Sequence, residues 1–164
     1  MTVAARPARL ALPLALALAL ASGCVARVVV PPPPPGPPPA AGLEVWAGRH
    51  PVASRELGAW VNRFPAAAQK IFLWDSRHEG AAVAFVNWAL ANPGAGVDAF
   101  AASHPGWSEL DWVVEHHRPA GDAFLAWCRR HPRAAGSLVR RPGALAWAGT
   151  HPYAGAGELS RPGY

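Results

Sequence analysis

The side chains with the most chemistry near neutral pH are seven histidines, at positions 50, 78, 104, 116, 117, 131 and 151. Four of them, His50, His104, His131 and His151, directly precede a proline. The run His78-Glu79-Gly80-Ala81-Ala82 opens like the H-E-x-x-H of zinc hydrolases, but Ala82 stands where the second ligand belongs, so that geometry cannot form. Glu115, His116 and His117 are consecutive, and consecutive side chains on a helix point in different directions. Asp111 and Glu115 are an i, i+4 pair of the kind that does general acid–base work, and with Glu109 beside Trp107 and Trp112 they suggest a carbohydrate site that nothing else supports. Cys128 has no arranged base, and the chain contains no G-x-S-x-G, no G-x-G-x-x-G and no P-loop. The expectation is therefore a protein with no catalytic residues, no metal and no cofactor. The histidines read instead as helix C-terminal residues, whose ring donors meet free carbonyls and the negative end of the helix dipole.

Arg129, Arg130, Arg133, Arg140 and Arg141 form a run of positive charge with no acid between Cys128 and Pro142. Such a patch suits lipid headgroups, anionic glycans or an acidic partner, and a solvated helix face is the simpler account. A candidate ligand surface for glycan or anionic lipid combines Arg129, Arg130 and Arg133 with Trp107 and Trp112, the two tryptophans outside the strict repeat described below and so expected at the surface. The whole chain has 15 basic and 10 acidic residues; without Arg6 and Arg9 of the leader, 13 basic residues remain, a net charge of +3. A nucleic-acid binder would carry a denser basic stripe, and nucleic acid is not expected as a partner.

The first residues address the chain rather than fold. Arg6 and Arg9 precede the apolar run of residues 10–21, LALPLALALALA, which is too short to span a bilayer core but suits the apolar region of a signal peptide. It ends in Leu20-Ala21-Ser22-Gly23-Cys24. This resembles the lipobox of bacterial lipoproteins, with Ala21 where Leu is commoner. The resemblance implies cleavage before Cys24, a diacylglyceryl group on its sulfur and acylation of the freed amine. Two or three acyl chains, at about 0.8 kcal/mol per buried CH₂, hold a protein stably at a membrane. The expected location is the cell envelope, with the N-terminal lipid in the membrane. Val25 stands where Asp commonly marks inner-membrane retention, which implies the outer membrane if the organism is Gram-negative.

Residues 31–39, PPPPPGPPP, cannot form helix or central strand. As polyproline II, at about 3.1 Å per residue, they make a spacer of roughly 28 Å; the rival reading is a proline-rich ligand for an aromatic groove.

From there the sequence repeats. Trp46, Trp60, Trp74 and Trp88 are spaced by 14 residues, and the unit reads W-x-x-x-[HFN]-P-x-A-x-x-x-[LIF]-x-x, with Glu79 replacing proline in the third copy. Later copies drift: Phe100 to His104-Pro105, Trp112 to Pro119, Trp127 to His131-Pro132 and Trp147 to His151-Pro152. Proline is well placed at a first helical position and drives the residue before it out of the helical region, so each unit reads as one short helix. Ala53, Leu57, Trp60, Val61 and Phe64 fall on one stripe. Helices this short must bury their stripes against one another. The fold class expected is all-α, an array of seven or eight short Pro-punctuated helices, either a solenoid or a compact bundle.

The repeat loosely resembles the F-L-x-x-H-P-x-x-x-x-x-L units of uncharacterised secreted bacterial proteins, over most of residues 44–152, and that resemblance implies a helical fold without implying an activity. The Trp-Ala-Leu-Ala-Asn-Pro segment at 88–93 looks like part of a variant leucine-rich repeat, on six residues only. The organisation expected is a signal peptide over 1–23, a lipidated N-terminus and linker over 24–43, a helical repeat domain over 44–153 and a flexible tail over 154–164. The function expected is that of a membrane-anchored envelope lipoprotein, a structural or protein-binding module meeting envelope proteins or glycan.

Overall fold

A computed structural model of the chain describes residues 39–161. The signal peptide, Cys24 and residues 24–38 of the linker lie outside the described residues. The all-α expectation holds: the described residues form nine helices and no strand. They are α1 (Pro39–Arg49), α2 (Pro51–Arg63), α3 (Pro65–Arg77), α4 (Glu79–Ala91), α5 (Val97–Ser103), α6 (Ser108–Arg130), α7 (Pro132–Leu138), α8 (Pro142–Thr150) and α9 (Pro152–Ser160). Helix α6 is two helices joined at His117, where φ is −141° and ψ is 34°, ahead of Pro119.

One joint recurs along the chain. His50, Phe64, His78, His131 and His151 each end one helix and begin the next, with φ between −127° and −134° and ψ between 54° and 60°. The joint residue donates its N–H back to the carbonyl four residues before it, as His50 does to Trp46 at 3.1 Å and His131 to Trp127 at 3.0 Å. Its own carbonyl accepts from the residue four ahead, Ser54 at 2.8 Å and Ala135 at 2.9 Å. A single residue thus turns the chain with both of its backbone groups satisfied, so no loop and no capping side chain is needed. Proline fits the next position because it has no N–H to satisfy. Glu79 shows that the joint forms without proline; its charge suits a helix N-terminus instead.

The helices do not extend as an open solenoid. The chain returns on itself, so that α9 packs along α2, α8 along α3 and both against α1, while α6 crosses α2, α3, α4 and α5. Much of the Trp stripe is core: Trp46, Trp60, Trp74 and Trp127 are buried, around a nucleus of Phe72, Phe85, Phe100 and Phe124, while Trp88 and Trp147 are half-buried at its edge. Phe85 meets Phe100 edge-on at 4.6 Å, and Trp60 lies 5.0 Å from Phe124.

Two boundaries shift. Helix α1 begins at Pro39, inside the stretch read as linker, and buries Leu43. The tail expected to fray from residue 154 is instead helix α9 up to Ser160, with Ala156 and Leu159 buried. One of the tail glycines serves close packing, since Gly155 lies against Ala148 of α8, and on the α2 side of the same helix a Cβ on Gly58 would meet the Ala156 carbonyl at 3.1 Å. Ser54 clamps the same contact by donating to the Leu159 carbonyl at 2.6 Å. No helix among the described residues is long and apolar enough to cross a membrane.

Candidate functional site

The histidines pair with the aromatic residue one turn earlier. Imidazole and aromatic ring centroids lie 5.5 Å apart for Trp46–His50, 6.2 Å for Trp74–His78, 4.2 Å for Phe100–His104, 4.9 Å for Trp112–His116, 5.9 Å for Trp127–His131 and 5.3 Å for Trp147–His151. In the Nδ1–H tautomer, His104, His116 and His151 donate to the carbonyls of Phe100, Trp112 and Trp147 at 3.0–3.1 Å. This places the three rings on helix-end carbonyls, where the sequence put them. Among the described residues no three His, Cys, Asp or Glu side chains gather as a metal-ligand set.

The candidate ligand residues go to different places. Trp107 is half-buried, edge-on to Trp74 at 5.1 Å and stacked on His104 at 5.6 Å. Trp112 is half-buried between His116, His117 and the Lys70 ammonium, which sits 5.3 Å from its ring. Arg129 closes the end of α4: Nε donates to the Ala89 carbonyl at 2.9 Å, and Nη2 donates to those of Asn92 and Ala95 at 2.8 and 2.7 Å. Arg130 grips Glu56 of α2, with Nη2 2.9 Å and Nε 3.3 Å from the same carboxylate oxygen, and His131 Nε2 lies 3.1 Å from it. The Arg130 hydrogen bond, helped by His131, holds the Glu56 carboxyl below the usual carboxylate range. Among the five candidate ligand residues Arg130 and Arg133 are both exposed, but Arg130 is paired with Glu56 whereas Arg133 makes no ion pair among the described residues.

Arg133 stands between two clefts. The first, about 350 Å³, lies where His50-Pro51-Val52-Ala53 faces Arg130-His131-Pro132-Arg133-Ala134. These are two copies of W-x-x-R-H-P-x-A, and each copy's indole reaches the other's helix start. Trp46 Nε1 donates to the Ala134 carbonyl at 3.1 Å, and Trp127 Nε1 donates to the Ala53 carbonyl at 3.0 Å. The second cleft, about 610 Å³, runs between α4 and α7 and holds Arg133, Arg140 and Arg141 together, facing Asn87 and Leu90.

Asp75, which the sequence did not single out, sits in the core beside two further buried polar groups, the Trp74 indole N–H and the Cys128 thiol. Asp75 is 1 % exposed, and neither carboxyl oxygen has a hydrogen-bond partner among the described residues. Burial pushes its carboxyl well above the usual range. The neighbouring Trp74 indole N–H is likewise buried and unpaired. The signal for Asp75 was its register, since Ala68, Ile71, Phe72 and position 75 share one helical stripe. Cys128 is a buried free thiol, pushed far up by burial.

Comparison of the chain with protein-family models, with curated proteins and with solved structures gave no match.

Proposed function

We propose that this chain is a cell-envelope lipoprotein, acylated at Cys24 and carrying a helical module that binds a neighbour rather than transforming a substrate. The support at the N-terminus is the run from Arg6 to Cys24, with its short apolar stretch and small residues before the cysteine. In the folded part the observation that carries the reading is where the reactive side chains go. The imidazoles lie against aromatic rings at helix ends, three indoles donate to backbone carbonyls, and the cysteine is buried. What the surface offers instead is shape and charge, as in helical arrays that bind through extended faces. Outer-membrane sorting, from Val25, belongs to the same proposal.

The test is fractionation of cells expressing the native chain and Cys24→Ala, with mass spectrometry of the N-terminal peptide. The native chain is expected in the membrane fraction with acyl mass on Cys24, and Cys24→Ala is expected to lack that mass and the processing before residue 24. A native chain whose Cys24 is unmodified, or whose leader is retained, overturns the anchor. Affinity capture from solubilised membranes then tests the module: a stoichiometric envelope component is expected, and turnover of a substrate by the purified chain overturns the non-enzymatic reading.

A further inference from the structure

The groove between α4 and α7 brings together three guanidinium groups that the fold itself does not use. Arg133 and Arg140 are exposed, Arg141 is half-buried, and none makes an ion pair or side-chain hydrogen bond among the described residues. The contrast with their neighbours is sharp, since Arg129 is taken by three carbonyls and Arg130 by Glu56. No acid relieves the concentration of charge. Helices α7 and α8 contain none, and the only acid of α4 is Glu79, two turns before the groove. Like charges lining one groove repel, and an anion that takes them up releases that repulsion. Guanidinium groups also match the paired oxygens of a phosphate better than ammonium groups do.

The opposite wall, from α4, is mixed: Leu90 is 43 % exposed and offers an apolar surface, with the exposed Asn87 amide beside it and Val86 buried beneath. A groove of about 610 Å³ with cations on one side and an exposed leucine on the other suits a ligand that is itself anionic at one end and apolar at the other.

We propose that this groove is a binding site for the phosphate headgroup of an anionic phospholipid, with Arg133, Arg140 and Arg141 on the phosphate and Leu90 against the start of the acyl chains. The membrane as source of that lipid rests on the envelope reading above; the preference of the groove for a phosphate-bearing amphiphile does not. A module so equipped lies down on an anionic membrane surface in a fixed orientation.

The experiment is calorimetric titration of the chain, purified from cells in a non-ionic detergent, with dihexanoylphosphatidylglycerol below its micelle-forming concentration. Dihexanoylphosphatidylcholine and inorganic phosphate are the comparison ligands. Saturable binding of the phosphatidylglycerol is expected, weakened at least tenfold in Arg133→Gln/Arg140→Gln/Arg141→Gln and unchanged in Arg49→Gln/Arg55→Gln, whose arginines lie on α1 and α2. Phosphatidylcholine is expected to bind at least tenfold more weakly. Equal binding of both lipids, an unaffected triple variant or an equal loss in the control pair overturns the proposal. Inorganic phosphate binding as tightly as the lipid overturns the assignment to a lipid. If the triple variant fails to fold by circular dichroism, the single Gln variants decide, a severalfold loss being expected of each and no loss in any of them overturning the site. N-terminal mass on the same sample separates the two ideas: an unacylated chain that still binds overturns the anchor alone, and an acylated chain that does not bind overturns the groove alone.

Discussion

Trp46 and Trp127 hold each other's helices: the indole of each, 6.3 Å from the other, donates to the carbonyl three residues past the histidine that follows the other. The Trp46 bond ends on Ala134, just after His131-Pro132, and the Trp127 bond ends on Ala53, just after His50-Pro51. The arrangement is a local two-fold exchange within one chain. It fixes α1 and α2 against α6 and α7 although the partners are 88 and 74 residues apart in sequence. Trp60 makes a third bond of this kind, to the Ala120 carbonyl just after Pro119, at 3.0 Å. At these three positions a tryptophan supplies both buried area and a directed tie, which a phenylalanine at the same place would not; the Trp74 indole, buried without a partner among the described residues, supplies area alone.

Replacing either indole by phenylalanine should remove one buried hydrogen bond and leave a small void. Trp46→Phe and Trp127→Phe are each expected to lose about 1–3 kcal/mol in urea unfolding. Because the two rings touch and tie the same pair of joints, the double variant should lose less than the two single losses added together. Strict additivity would show that the two bonds act independently.

Asp75 gives stability a pH dependence opposite to that of a salt-bridged carboxylate. Buried without a partner, it holds its proton in the folded chain well above the usual range. The unfolded chain releases that proton near pH 4, at about 3.9. The folded state therefore binds more protons across the interval above that value, and stability falls as pH rises through it. Asp75→Asn cannot titrate, so it should flatten the decline in urea midpoint between pH 5 and pH 8 and be the more stable chain at the upper end. An unchanged slope in Asp75→Asn would mean that the carboxylate finds water or a partner in solution.

The same core should protect Cys128. A thiol pushed far up by burial offers almost no thiolate at neutral pH. Alkylation by iodoacetamide at pH 8 is expected to be negligible in the folded chain and complete in denaturant, read by peptide mass. Rapid modification under native conditions would place the sulfur at the surface.

What the sequence made legible was the local chemistry of the joints. Proline after His50, Phe64, His131 and His151 marks four of the bends, and the tryptophans one turn before the first three mark the buried stripe. The return of the chain on itself was not legible, because it depends on pairings such as α9 with α2 that no local pattern carries. Composition misled at the tail: glycine lowers helix propensity, yet the small residues of α9 are what let it approach α2 and α8. Trp107 falls outside the 14-residue period and read as a surface residue. Gly106, at φ +106°, turns the chain before α6 and brings that indole back onto Trp74. Arg129 read as part of a charged patch because its carbonyl partners lie 34 to 40 residues away.

The role of Arg129 is testable apart from its charge. Arg129→Met keeps much of the stem but frees the carbonyls of Ala89, Asn92 and Ala95. A loss of about 2–3 kcal/mol is expected. Hydrogen exchange should quicken first in residues 89–97, where α4 ends and the chain turns into α5. If exchange there is unchanged, the guanidinium is not what closes that turn.

The contact of α9 with α2 turns on the missing side chain at Gly58. A Cβ there would stand 2.5 Å from Ser160 Oγ, 3.1 Å from the Ala156 carbonyl and 3.2 Å from Leu159 Cβ, and two of these three cannot swing away as a side-chain tip can. Ala at this position forces a shift of α9; Val, with two further methyl groups, forces it off α2. Gly58→Ala is expected to lower stability by about 1–3 kcal/mol, although alanine is the better helix former and would gain up to about 1 kcal/mol at an open site. The sign therefore separates close packing from propensity. In Gly58→Val the segment from Pro152 should become the first site of limited proteolysis, while the core around Phe85 and Phe100 keeps its protection. A stabilised Gly58→Ala, or a Gly58→Val whose α9 resists protease as the native chain does, would mean that the two helices are not in contact in solution.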